Sequence, residues 1–346
     1  MAEKILEIHS SAPLRINDIG GWTDTWFSDE GHVLNMAVSP CVEVDISVFD
    51  NREETPNRVR VHAVDYCEVF YINPEKSDLT IHPLIQGAVS SLPIPEDQKL
   101  DIYIRSFFPV GSAVGTSASV CVALLGALDA LSSRRHSVGA IAALAHQVET
   151  DKLHQQSGIQ DQICAAYGGV CDIHMLKYPE ARVKRVTLGQ KLWEYLNSQL
   201  CLIYLGSAHR SSDIHERVIE SLEKGGSQVE LLRELRILAE EGKSSLISEN
   251  LAAFGRVMVN NNELQRALHP DLISEEADVV IKIAEKFGAL GWKVNGAGGK
   301  GGSLTVLSSQ DCDSRKGMIT EIQALGHGIR YLPICLSADG LLIKHG

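Results

Sequence analysis

The chain predicts an α+β fold in two units, and three observations carry that prediction. In the first half, residues 5–16 look like a strand, and apolar residues alternate at Cys41–Phe49, Val59–Val64 and 100–107, the period of half-buried strands. The last of these strands feeds a glycine-punctuated loop, Phe107 to Ser119. The loop opens into Val120–Leu131, a segment apolar on nearly every face and so a buried helix. In the second half a strand at 200–206 precedes helical periodicity at 211–224, 229–241, 247–264 and 274–289. The last of these helices leads through Trp292-Lys293-Val294 and a glycine run at 296–302 to strands at 303–307 and 329–334, with a helix at 314–326 between them. Such alternation reads as helices layered on a sheet. Composition turns polar around 179–198, which places a boundary near 185 and gives units 1–185 and 186–346.

Taken in order, the first strand enters Ser11-Ala12-Pro13-Leu14-Arg15-Ile16-Asn17. Gly20 and Gly21 in the following loop permit a backbone path that other residues resist. Beyond the buried helix, Val138, Ile141, Ala142, Leu144, Ala145 and Val148 recur at helical spacing, predicting a helix from Ser137 to His154. It places His146, Glu149 and Thr150 within one turn of each other. Gly158-Ile159-Gln160-Asp161-Gln162 begins another helical stretch, which Gly168-Gly169 ends, and a terminal apolar run covers Leu341-Leu342-Ile343.

The chain has 346 residues, 44% of them apolar and 22% charged, which is ordinary globular composition. A formal net charge of −12 argues against nonspecific nucleic-acid binding and against anionic membranes, either of which favours a basic face. It leaves room for a small anion, because backbone amides and a metal bind phosphate inside acidic proteins. The eight cysteines are scattered with no Cys-x-x-Cys pair, which disfavours zinc sites and disulfide frameworks. Met1 to His9 carries acidic residues and no signal-length apolar core, and no run reaches membrane-spanning length. The expectation is a reduced, cytoplasmic protein.

The loop before the buried helix is where chemistry concentrates. Glycines let backbone amides turn inward, and the helix start adds free N–H groups and a positive dipole end, which together make an anion site. Thr116, Ser117 and Ser119 add hydroxyls at the helix mouth; an ordinary capped core helix is the competing reading. Gly296, Gly298 and Gly301 match Gly-x-Gly-x-x-Gly, but a helix precedes and a strand follows, the reverse of a dinucleotide-binding unit. The glycines at 296–302 instead point to close packing against a ligand or against the first unit's loop. No Walker motif is present.

The ordered set resembles the GHMP superfamily of small-molecule kinases. It comprises Ala12 to Asn17 with Thr23-Asp24, Pro109 to Ala118, Asp161-Gln162, and Asn295 to Gly302. The resemblance implies an N-terminal domain like ribosomal protein S5 domain 2 and a ferredoxin-like C-terminal domain. It also implies ATP and Mg²⁺ as cofactors. Gly111, Ser112, Ala113, Gly115, Thr116 and Ser117 would wrap the nucleotide phosphates, and Ser117 and Glu149 would hold Mg²⁺, a hard cation suited to oxygen ligands. Asp161 would face the acceptor hydroxyl, with Arg15 beside it keeping it ionised and balancing the charge of the transferring group. Without the resemblance, Glu149 is better read as a solvated carboxylate, and a salt-bridge partner and a helix cap are the competing readings of Arg15 and Asp161.

Galactokinase-like members carry Glu-His where this chain has Gly21-Trp22, a departure that tells against galactose. Arg-Ile-x-x-x-Gly-Gly-x-Thr-Asp with Gly-x-Gln-Asp-Gln downstream is most similar to the D-glycero-D-manno-heptose 7-phosphate kinases. These phosphorylate the anomeric hydroxyl of a phosphorylated sugar to give the 1,7-bisphosphate, on the way to surface polysaccharide. Trp22, Thr23, Asp24 and Gly298 are then the acceptor's neighbours, with Trp22 offering a face to stack a sugar ring. A second anion pocket is expected at His209-Arg210-Ser211-Ser212, with Arg210 as the cation and Lys152 as a further one; a plain helix cap competes. The partners expected are ATP and a small phosphosugar, with no nucleic acid and no membrane, and a homodimer is compatible with the chain. A kinase for a free sugar such as fucose, and a non-catalytic sugar and nucleotide sensor on the same fold, are the alternatives.

Overall fold

A computed structural model describes every residue except 1–3, 52–54, 77–78, 133–134, 207–215, 217, 221 and 223–226. Its first sheet holds β1 (Lys4–Ile19), β2 (Gly31–Asp50), β3 (Val59–Ala63), β4 (Glu68–Ile72), β5 (Gln98–Arg105), β6 (Val170–Lys177) and β7 (Glu180–Arg185). β2 is the spine. One edge pairs along β1, and its other edge is shared by β6 (from Gly31 to Met36) and β5 (from Glu43 to Asp50). The sequence shows only the second half of β2 as a strand, because Gly31–Val38 is buried on both faces and so does not alternate. The β6–β7 hairpin was also outside the expectation: most of β7 is exposed or half-exposed and carries no apolar period.

Helices α1 (Pro83–Val89), α2 (Thr116–Asp129), α3 (Val138–Gln147) and α4 (Gln160–Tyr167) belong to this unit, and α2 and α4 pack on β1 and β2. Every residue of α2 from Cys121 to Asp129 is buried, the environment its uniformly apolar sequence predicts. The helix expected to run to His154 instead ends at Gln147 and widens into a π-helical turn, Val148–Lys152, that carries Glu149. Local π-turns of this kind occur where a side chain is re-aimed at a functional site.

After α5 (Gln190–Gln199), β8 (Leu200–Leu205) starts a second sheet. Helices α6 (Ser227–Ile247), α7 (Leu251–Leu268) and α8 (Glu275–Lys286) lead to β9 (Gly291–Val294) and β10 (Ser303–Leu307), and α9 (Cys312–Ala324) leads to β11 (Ile329–Leu332). The order β11-β8-β10-β9, antiparallel throughout, is the 4-1-3-2 arrangement of a ferredoxin-like unit. β12 (Cys335–Leu336) and β13 (Leu342–His345) then return to pair with β2 and β1. The second unit expected over 186–346 therefore gives its last strands back to the first sheet. No described helix is long and apolar enough to cross a membrane.

Candidate active site between the two units

The loop between β5 and α2 turns on left-handed residues: Gly111 at φ 79°, Ala113 at 55° and Gly115 at 72°. Gly115 caps α2, so the free amides of that helix's first turn face outward with Thr116 and Ser117, both partly exposed. Ser119 is buried and donates its hydroxyl to Pro13 O at 2.7 Å, tying the helix start to β1. Ser112 also turns inward. Its amide and hydroxyl both donate to Pro109 O, at 3.3 and 2.5 Å, so it shapes the loop instead of offering donors to a ligand.

Arg15 sits under this loop with 4% of its surface exposed. Its amide donates to Val114 O at 2.8 Å and its Nη1 to Ala113 O at 3.3 Å. Its Nε and Nη2 each lie 2.7 Å from Asp161 Oδ1, joining the first strand to the first turn of α4. Burial works against the guanidinium's charge, but Asp161 and Asp18 outweigh it and hold the group firmly protonated. Asp18 was not singled out in the sequence. It is buried and its Oδ1 accepts from Arg15 Nη1 at 3.3 Å, from Lys293 Nζ at 3.0 Å and from the Gly296 amide at 3.1 Å.

Asp24 occupies the opposite wall. The Gln160 amide donates to its Oδ2 at 3.1 Å and the Gln160 side chain to its Oδ1 at 3.3 Å. Burial pushes its carboxyl up to about 6, against the pull of the Gln160 amide. Gly158 is required beside it, because a Cβ there would fall 2.3 Å from Asp24 Oδ2. Trp22, Trp26 and Phe27 form an aromatic wall, with the Trp26 and Phe27 rings edge-on at 5.2 Å. Thr23 lies behind this wall: its hydroxyl donates to Gly20 O at 2.7 Å and accepts from the His32 amide at 3.0 Å, so it braces the loop without facing the cavity.

Glu149 is buried on the π-turn, where Ser157 Oγ and Gln162 Nε2 donate to its Oε2 at 2.6 and 2.7 Å. Burial pushes it up to about 7; the two hydrogen bonds pull it down and Asp161 pushes it up. A buried carboxylate with both side-chain hydrogen bonds on one oxygen suits a hard divalent cation on the other. Lys152 is directed elsewhere, its Nζ donating to Gly87 O at 3.1 Å and Ser90 Oγ at 2.9 Å on and just beyond α1.

The glycine loop of the second unit closes the site. A Cβ on Gly302 would lie 3.3 Å from the Ala113 Cβ, and one on Gly296 3.4 Å from Ala113 O, so the two loops touch as the glycine content predicts. Asn295 fixes the contact from below, its Oδ1 accepting from the Asn17 amide at 2.8 Å. Arg15, Asp24, Asp161, Gly111, Ala113, Gly115, Trp22 and Gly298 thereby line a single cavity of about 290 Å³, with the exposed Lys300 also on its wall. Arg210, with His209, Ser211 and Ser212, lies outside the described residues. The arrangement joins an anion-binding helix start, a buried Arg–Asp pair and a wall suited to a polyhydroxylated ring.

Residues 83–169 match the family model of the GHMP kinases N terminal domain, and residues 243–311 that of the GHMP kinases C terminal. These two stretches carry the N-terminal and C-terminal domains of GHMP kinases. It is 25% identical over 322 residues to the bifunctional fucokinase/GDP-fucose pyrophosphorylase of Arabidopsis thaliana, a match covering 88% of this chain and 30% of that much longer protein. It is 22% identical over 310 residues to the D-glycero-alpha-D-manno-heptose 7-phosphate kinase of Campylobacter jejuni, covering 85% of this chain and 87% of that one. A crystal structure of a D-glycero-D-manno-heptose 1-phosphate kinase from Bacteriodes thetaiotaomicron superposes with a TM-score of 0.75 at 20% identity, over 97% of this chain and 98% of that chain. The two-domain GHMP kinase fold is therefore that of this protein.

Proposed function

We propose that this protein is an ATP-dependent sugar kinase that phosphorylates the anomeric hydroxyl of D-glycero-D-manno-heptose 7-phosphate to give the 1,7-bisphosphate. The observation that carries the reading is the pairing of Arg15 with Asp161 at 2.7 Å on the floor of a cavity that also presents Asp24 and the start of α2. In this reading the acceptor oxygen attacks the γ-phosphorus, its proton passes to Asp161, and the bond to the departing ADP oxygen breaks. Phosphoryl transfer asks mainly for positioning and charge neutralisation. The α2 start and the Gly111–Gly115 loop supply amides to the phosphates, Arg15 offsets charge on the transferring group, and Asp24 holds sugar hydroxyls against the Trp22–Trp26–Phe27 wall. Mg²⁺, held by Ser117 and Glu149, would neutralise the phosphate oxygens.

The heptose preference rests on the first-motif residues Gly20-Gly21-Trp22-Thr23-Asp24, supported by the likeness to the Campylobacter protein. A free sugar such as fucose is the second reading, favoured by the match to the Arabidopsis fucokinase over most of this chain. ATP consumption with Mg²⁺ against heptose 7-phosphate, mannose, fucose, galactose and glucuronic acid decides between them. Turnover with heptose 7-phosphate alone supports the first reading, and there Arg210→Ala raises the acceptor KM. Turnover with a free sugar alone and indifference to Arg210→Ala support the second. Silence across the panel with nucleotide still bound leaves a sensor.

A further inference from the structure

Lys293 on β9 has no solvent exposure, and a buried ammonium is costly unless its charge is met. It is met from the other unit, Nζ donating to Asp18 Oδ1 at 3.0 Å, while Val294 O on its own strand accepts a second bond at 2.8 Å. The same Asp18 oxygen accepts from Arg15, whose other two donors reach Asp161 at 2.7 Å. Lys293, Asp18, Arg15 and Asp161 thus form one line of alternating charge. It begins on the strand leading into the second unit's glycine loop and ends at the carboxylate in the cavity.

Two cations and two carboxylates cancel in this line. Without Lys293, Arg15 alone would serve both carboxylates, and the line would carry one more negative charge where an anionic phosphoryl group must pass. We propose that Lys293 is a positioning residue for phosphoryl transfer: it takes up the charge of Asp18 so that Arg15 serves Asp161 and the transferring group. The inference rests on the phosphotransferase reading above. Gly296 shares the Asp18 oxygen, so the same contact seats the glycine loop against the first unit. Burial lowers the pKa of Lys293 and Asp18 acts against that, as expected of a lysine whose charge depends on one partner.

Asp24, Glu149 and Cys164 interact electrostatically with Asp161, and Lys300 lies on the cavity wall. Removing a positive charge from the line favours the protonated form of a carboxylate facing the cavity, and removing a negative one does the reverse.

The test is kcat/KM against pH for the native protein, Lys293→Met, Asp18→Asn and the double variant, with the melting temperature of each. The acidic limb is expected to move up by about one pH unit in Lys293→Met and down in Asp18→Asn. In the double variant it returns close to the native position, because the charge balance is restored. Unmoved limbs in both single variants, or a double variant worse than either, make Lys293 a packing residue and overturn the proposal. Should Lys293→Met fail to fold, the downward shift in Asp18→Asn decides. Absence of native turnover with every acceptor overturns the phosphotransferase reading instead. ATP affinity then carries the test: it weakens several-fold in Lys293→Met and recovers in the double variant, and equal affinities overturn the proposal.

Discussion

Gly115 stands directly against Asp161: a Cβ on Gly115 would lie 3.1 Å from both Cγ and Oδ2 of that carboxylate. The phosphate loop and the proposed proton acceptor are thus in contact with no room for a side chain between them. Gly115 also sits at φ 72°, where an L side chain is strained. Gly115→Ala is expected to cost about 1–2 kcal/mol of stability and, by displacing Asp161, to lower kcat/KM about a hundredfold. Steady-state kinetics beside thermal melting separate the two effects. Lost stability with an intact rate would make the contact purely structural.

Glu149 predicts a pH dependence of opposite sign to ordinary acid denaturation. Its carboxyl rises from 4.5 to about 7 on folding, so between those values the folded protein holds a proton that the unfolded chain has released. That contribution is fully present below the lower value and is lost as pH rises through the upper one. Glu149→Gln keeps the acceptor for Ser157 and Gln162 without the charge. It is expected to match the native protein at pH 4 and to exceed it at pH 8 by on the order of 2–3 kcal/mol. Mg²⁺ should recover the native deficit at pH 8 and leave Glu149→Gln unmoved, as read by denaturant melts with and without the ion.

Trp26 tests the acceptor wall. It lines the cavity and meets Phe27 edge-on, away from Arg15, Asp161 and the phosphate loop in the sequence. Trp26→Ala is expected to raise the acceptor KM about tenfold, the value of one aromatic face, with the ATP KM unchanged. A rise confined to the ATP KM would place the nucleotide, not the sugar, against this wall.

Much of this site is legible in the sequence because its parts are local patterns. Gly111 to Ser117 before an apolar helix, Gly20-Gly21 beside Asp24, and Asp161 at a helix start each carry their signal within a few residues. What the sequence hides is pairing at a distance. Lys293 and Asp18 lie 275 positions apart and meet only where a residue of β9 in one sheet reaches the end of β1 in the other. Ser157 and Gln162 around Glu149, and the inward turn of Ser112, depend on how the π-turn and the loop fold back. Thr23 shows the converse: a motif residue whose hydroxyl is spent on backbone carbonyls and so supports the wall without forming it. The apolar run Leu341-Leu342-Ile343 is visible in the sequence, but that β13 returns to β1 is not, since its four residues are exposed or half-exposed and carry no sign of their partner.

The central claim is that Asp161, paired with Arg15, receives the acceptor's proton. ADP release with Mg²⁺, ATP and the productive acceptor, measured for the native protein and Asp161→Asn alongside ATP affinity by calorimetry, tests it most directly. Loss of turnover by about a thousandfold with ATP affinity held within a few-fold is the expected result. Turnover within tenfold of native would contradict the claim and leave positioning by Arg15 and the loop as the whole of the catalysis.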